Sequence, residues 1–139
     1  MPGPAPKHDP ARRNPRVGPL KLPAEGRKGD PPPWPLPGRP TAAEREAWAQ
    51  LWRTPQAVAW ERLGWARTVA RYCRVMVEAE QRDAPAKALA EARHFEDRLG
   101  LTPKAMRMLL WEIVTDELAE RRQQGADTAD VRKRIRAVE

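Results

Sequence analysis

The chain has 139 residues, with 26 Lys+Arg against 19 Asp+Glu and a net charge of +7. That length bounds it to one domain at most, and no run of about 18 apolar residues offers a membrane span. A single cysteine, Cys73, excludes an internal disulfide framework, and with only two histidines, His8 and His94, no Cys/His zinc site can form.

Thirteen of the 16 prolines fall in residues 1–40, where eight basic residues against three acidic ones leave +5 of the +7. The stretch has few apolar side chains and cannot offset an ordering entropy of roughly 1–2 kcal/mol per residue. It is expected to be a disordered or extended basic arm, with stiff polyproline II over Pro31–Pro37. Trp34 and Leu36 are the residues suited to dock it on the body. Arg12, Arg13, Arg16, Lys21, Arg27 and Lys28 give the arm the character of a phosphate ligand, whose binding is salt-dependent and sequence-blind. A tail that keeps the protein soluble, or that contacts RNA or acidic proteins non-specifically, would look the same. Met1-Pro2-Gly3-Pro4 lacks the apolar stretch of a signal peptide, so the expected location is the cytoplasm.

Beyond Pro40 the composition turns to Ala, Glu, Arg and Leu without strand alternation. The expected fold is all-α: a small helical domain of about four to five helices over residues 41–123. Thr41-Ala42-Ala43-Glu44 reads as a capping box opening a helix that buries Trp48, Leu51 and Trp52. Thr54-Pro55 reads as a second start, with Thr54 as cap, for a helix carrying Val58, Trp60 and Leu63. Gly64 either ends that helix or bends it into the next. Residues 65–82 place Ala66, Val69, Ala70, Cys73, Met76 and Val77 on one core face and Arg67, Arg71 and Arg74 on another. Those arginines are either a solvated face or a nucleic-acid contact. A helix over about 86–98 is expected to bury Leu89, Ala92, Phe95 and Leu99, and Gly100 stops it.

Thr102-Pro103 then opens a last long helix, expected over about 103–123. Met106, Leu109, Leu110 and Ile113 form one apolar stripe, and Met108, Trp111, Val114 and Leu118 a second. Two stripes require cover on two sides: either the helix is central, or the second stripe is an oligomer interface. The final segment, 124–139, has an Asp127 cap, a narrow stripe of Val131, Ile135 and Val138, and four cations at Arg132, Lys133, Arg134 and Arg136. So thin a stripe cannot hold an isolated helix of about a dozen residues, so the segment is either frayed or docked on a partner.

No enzyme chemistry stands out. There is no phosphate-binding Gly-rich loop and no dinucleotide fingerprint. Cys73 reads as a core thiol, His94 as a surface residue, and carboxylates such as Glu96 and Asp97 as solvated partners of nearby arginines. No recognition helix of the helix-turn-helix type is evident. No catalytic residue, metal or cofactor is expected.

The order of these pieces resembles that of phage terminase small subunits. The resemblance runs through Arg12-Arg13-Asn14-Pro15, Leu22-Pro23-Ala24-Glu25-Gly26-Arg27-Lys28-Gly29, Trp34-Pro35-Leu36-Pro37 and Thr54-Pro55-Gln56-Ala57-Val58-Ala59-Trp60. Its most specific part is Glu96-Asp97-Arg98-Leu99-Gly100-Leu101-Thr102-Pro103-Lys104-Ala105-Met106, with Leu110-Trp111-Glu112 beyond. It covers about residues 10–118. The resemblance implies a non-enzymatic DNA-recognition subunit of a packaging motor. Such a subunit forms a homo-oligomeric ring, binds double-stranded phage DNA in the bacterial host cytoplasm, and delivers it to the large ATPase/nuclease subunit. The alternative is a small helical DNA-binding transcriptional regulator.

Overall fold

A computed structural model of the chain describes residues 18–115 and Glu117. Within them lie β1 (Leu20–Pro23), α1 (Ala42–Leu51), α2 (Gln56–Leu63), α3 (Ala66–Ala79), α4 (Ala86–Arg98), α5 (Pro103–Leu109) and β2 (Trp111–Val114). The fold is mostly helical, but the all-α expectation needs correcting. β1 and β2 pair in parallel, with Leu20 opposite Trp111 and Pro23 opposite Val114. Parallel strands need a long crossover, and here the whole helical body supplies it.

The capping box at Thr41 forms as expected. The Thr41 amide donates to Glu44 Oε2 at 2.9 Å, and the Glu44 amide donates to Thr41 Oγ1 at 3.2 Å. Thr41→Ala is expected to cost about 1 kcal/mol and Thr41→Ser only a few tenths, read as a shift in urea midpoint. The second cap differs. The Thr54 hydroxyl donates to the Leu51 carbonyl at 2.7 Å, and α2 starts without a side-chain cap. The α1–α2 turn is tight enough that Thr54 serves the orphan carbonyls ending α1 instead.

Gly64 ends α2 in the left-handed region at φ 70°, and the Trp65 amide reaches back to the Trp60 carbonyl, so α2 and α3 are separate helices. On α3, Val69, Ala70 and Cys73 are fully buried as the periodicity requires. Tyr72, absent from the predicted face, is buried too: its ring lies against Phe95 and its hydroxyl donates to Glu96 Oε1 at 3.2 Å. On α4 the buried stripe is Ala88 and Ala92, with Phe95 half-buried and Leu99 buried beyond it. Leu89 is 53% exposed, because it sits about 100° round the helix from Ala88.

The predicted 103–123 helix is the largest departure. Thr102 caps α5 by accepting the Ala105 amide at 3.1 Å, but α5 ends at Leu109. Leu110 takes a left-handed conformation at φ 58°, and the chain continues as β2. The stripe of Met108, Trp111, Val114 and Leu118 therefore does not exist as a helix face. Trp111 is buried in its own fold, packed on Trp65 with ring centroids 6.0 Å apart. Met108 is 76% exposed, Val114 is half-buried, and Leu118 lies outside the described residues. The segment 124–139 also lies outside them. Trp111-Glu112-Ile113-Val114 is rich in aromatic and β-branched residues that suit a strand, and Leu22 is the buried neighbour that β1 brings beside it.

Residues 18–40, within the stretch expected to be disordered or extended, lie on the body, with Trp34 and Leu36 packed against the core. Leu22 is fully buried, and residues 24–40 form a strap across α1 and α2 without helix or strand. Trp34 starts a series of edge-to-face rings through Trp48, Trp52 and Trp60, with centroids 5.2, 5.3 and 5.9 Å apart. The Trp48 indole donates to the Pro32 carbonyl at 2.9 Å, and the Trp60 indole to the Leu99 carbonyl at 2.9 Å. Gln56, buried, donates to the Gly100 carbonyl. The core is thus a tryptophan series that joins the strap at one end to the α4–α5 junction at the other.

Candidate nucleic-acid interface

The nine cations marked by the sequence fall into three groups. Arg12, Arg13 and Arg16 lie outside the described residues. Lys21, on β1, and Lys28, on the strap, are exposed, as are Arg67 and Arg71 on α3, where four-residue spacing puts them on one face. Arg71 makes only a long hydrogen bond, 3.5 Å, to Thr68 Oγ1.

Arg27 and Arg74 are different. The Arg27 guanidinium donates to Glu61 Oε1 at 2.8 Å and to the Asp30 carbonyl at 2.9 Å, and it lies 5.5 Å from the centre of the Trp52 ring. Its hydrogen bond to Glu61 raises the Arg27 pKa and lowers that of Glu61. Arg74 donates to the Pro37 carbonyl at 3.2 Å, stands 3.9 Å from Glu44 and lies over Trp34. Both therefore clamp the strap to the helices, and their charge is already engaged within the chain. Cation and ring attract each other at this range by about 0.5–1 kcal/mol. The spacing of Arg67, Arg71 and Arg74 gave no sign that the third turns away to the strap. The Pro-rich stretch around Trp34 is the signal that pairs with it.

The strap is seated by a close backbone approach. Gly26, at φ +81°, passes so near the α1–α2 turn that a Cβ there would stand 1.8 Å from the Arg53 carbonyl oxygen. The Arg27 amide donates to the Thr54 carbonyl in the same place. The chain that carries Arg12, Arg13 and Arg16 runs directly into β1, whose first residue, Leu20, lies four residues after Arg16.

Cys73 and Tyr72 are spent on packing. The Cys73 thiol is fully buried and donates to the Glu44 carbonyl at 3.2 Å, and burial pushes its pKa up to about 12. A thiol so protonated is a poor nucleophile at neutral pH. Burial likewise raises the Tyr72 phenol, with Glu96 adding to the effect. His94 is exposed on α4. Among the described residues, no group of three or more His, Cys, Asp or Glu could hold a metal ion. No described helix is long and apolar enough to cross a membrane.

No curated protein and no solved structure matches the chain. A family model described as phage terminase small subunit matches residues 1–137, which takes in the basic N-terminal stretch, the strap and the helical body alike. With nearly the whole chain matched, the protein belongs to the phage terminase small subunit family.

Proposed function

We propose that this packaging subunit is the DNA-recognition component of the motor. It binds double-stranded phage DNA without catalysing a reaction, assembles as a homo-oligomeric ring in the host cytoplasm, and hands DNA to the large ATPase/nuclease subunit. The observation that carries the reading is the placement of the cations. Arg12, Arg13 and Arg16 precede a strand locked to the body, while Lys21, Lys28, Arg67 and Arg71 are exposed and make no ion pair among the described residues. A tethered cationic segment presents its charges at high effective concentration to any backbone the body touches. Repetition around a ring multiplies weak contacts. Exposed apolar side chains at Met108 and Leu110 are available for contact between copies.

Phosphate binding of this kind is read through salt. Each phosphate contact adds about 0.9 to the slope of log affinity against log salt on duplex DNA. In the full chain, Arg12→Ala/Arg13→Ala/Arg16→Ala is expected to flatten that slope by about 2 to 3 and to weaken binding by at least about tenfold near 0.1 M salt. Fluorescence anisotropy on a duplex of unrelated sequence measures both. Arg27→Ala is expected to leave the slope nearly unchanged, since Glu61 already holds that guanidinium. An unchanged slope in the triple variant would overturn the assignment of the arm.

A further inference from the structure

We propose that the C-terminal segment of the same chain, residues 127–139, docks into an acidic concavity on the outside of the β1–β2 sheet. The concavity measures about 690 Å³ and is lined by Lys21, Pro23, Glu25, Glu112, Ile113 and Val114, among others. Pro23, Ile113 and Val114 are its apolar lining, and Lys21, Glu25 and Glu112 its charged one. Glu25 and Glu112 are exposed and join no cation in an ion pair among the described residues. Ile113 is 43% exposed, unusually open for a β-branched side chain.

The segment is the complement of this surface in both respects. Val131, Ile135 and Val138 fall at i, i+4 and i+7, one narrow apolar stripe, and Arg132, Lys133, Arg134 and Arg136 stand around it with no acidic residue between 131 and 138. A stripe of that width does not stabilise a helix alone, and cover by Pro23, Ile113 and Val114 supplies what it lacks. The reach is sufficient. The described chain ends at Glu117, itself on the wall of the concavity, and the 13 residues 118–130 span up to about 43 Å when extended. Charge selects this surface over an apolar recess of about 370 Å³ between α4 and α5, whose rim carries Arg98 and Lys104 and whose Asp97 is bonded to Thr102. That recess would repel a basic segment.

Hydrogen exchange of the full chain, followed by mass spectrometry, tests the docking. Amides 131–138 are expected to exchange at least about tenfold more slowly in the chain than in a synthetic peptide of residues 127–139. Glu25→Lys/Glu112→Lys should remove that protection, and adding Arg132→Glu/Arg134→Glu to the same chain should restore it. Amides of α3 report whether the sheet variants remain folded. Ile135→Asp alters the segment alone and should abolish protection whatever the sheet variants do. Exchange at the free-peptide rate in the unmodified chain would overturn the proposal, as would protection that survives Ile135→Asp. Protection that grows with protein concentration would also overturn it, since the occupant would then be a second copy.

Discussion

Gly26→Ala is expected to lower the unfolding free energy by about 3 kcal/mol or more and to free the strap from the α1–α2 turn. Two costs coincide at this residue. The backbone is left-handed at φ +81°, which any L side chain resists by about 1–2 kcal/mol. The added methyl would also stand 1.8 Å from the Arg53 carbonyl oxygen, with the Arg53 carbonyl carbon at 2.9 Å. Those are main-chain atoms at the end of α1, so no side chain can swing aside to make room. Gly29 and Gly38 are the controls: both have positive φ, and neither would meet any atom within 4 Å. Alanine at either should cost about 1 kcal/mol, and the difference from Gly26 isolates the clash. Urea unfolding gives the totals. Exchange at the Leu20 and Leu22 amides shows whether β1 leaves β2 before the helices unfold. A Gly26→Ala chain as stable as Gly29→Ala would mean that the strap is not seated as described.

What the sequence discloses about this fold tracks the range of each interaction. Thr41 with Glu44, Thr102 with Pro103 and the φ > 0 stop at Gly100 are local, and each reads correctly from a few adjacent letters, whereas Gly64 leaves open whether α2 ends or bends. The α3 face is legible because Val69, Ala70 and Cys73 repeat at helical spacing. Thr54 reads wrongly because the end of α1 competes for its hydroxyl. Trp111–Val114 reads as helix because an apolar run of that length fits either period. Its strand partner, Leu20–Pro23, lies at the far end of the sequence inside a proline-rich stretch. Leu110 adds to the difficulty, since a non-glycine residue rarely ends a helix in the left-handed region. For the interface, the exposure of Lys21, Lys28, Arg67 and Arg71 follows from composition and helical spacing. The capture of Arg27 by Glu61 and of Arg74 by Pro37 does not, because both depend on where the strap crosses the helices.

Trp60→Ala is expected to cost about 4 kcal/mol, close to the upper range for a buried aromatic, and for a body of this size to lower Tm by about 20 °C. Trp60 is fully buried, its ring meets Trp52 edge-on, and its indole N–H donates to the Leu99 carbonyl at 2.9 Å. Alanine leaves a large cavity and an unpaired carbonyl. Trp60→Phe retains much of the ring and loses the donor, so it should cost about 1–3 kcal/mol, the penalty for a buried acceptor without a partner. Trp34→Ala, at the half-exposed outer end of the series, should cost less than Trp60→Ala, because water reaches the site. The consequence extends to the proposed DNA contact. Leu99 leads directly into Gly100, whose missing side chain leaves room for the Trp111 ring, 2.3 Å from where a Cβ would lie. Trp111 begins the strand that pairs with β1, and β1 anchors the cationic segment before it. Loosening Trp60 should therefore raise exchange at the Leu20 and Leu22 amides at temperatures where α3 is still protected, and weaken duplex binding in the same range. If binding and α3 protection instead fell together, with no earlier loss at β1, the core and the anchor would be a single cooperative unit with no separate path from Trp60 to the arm.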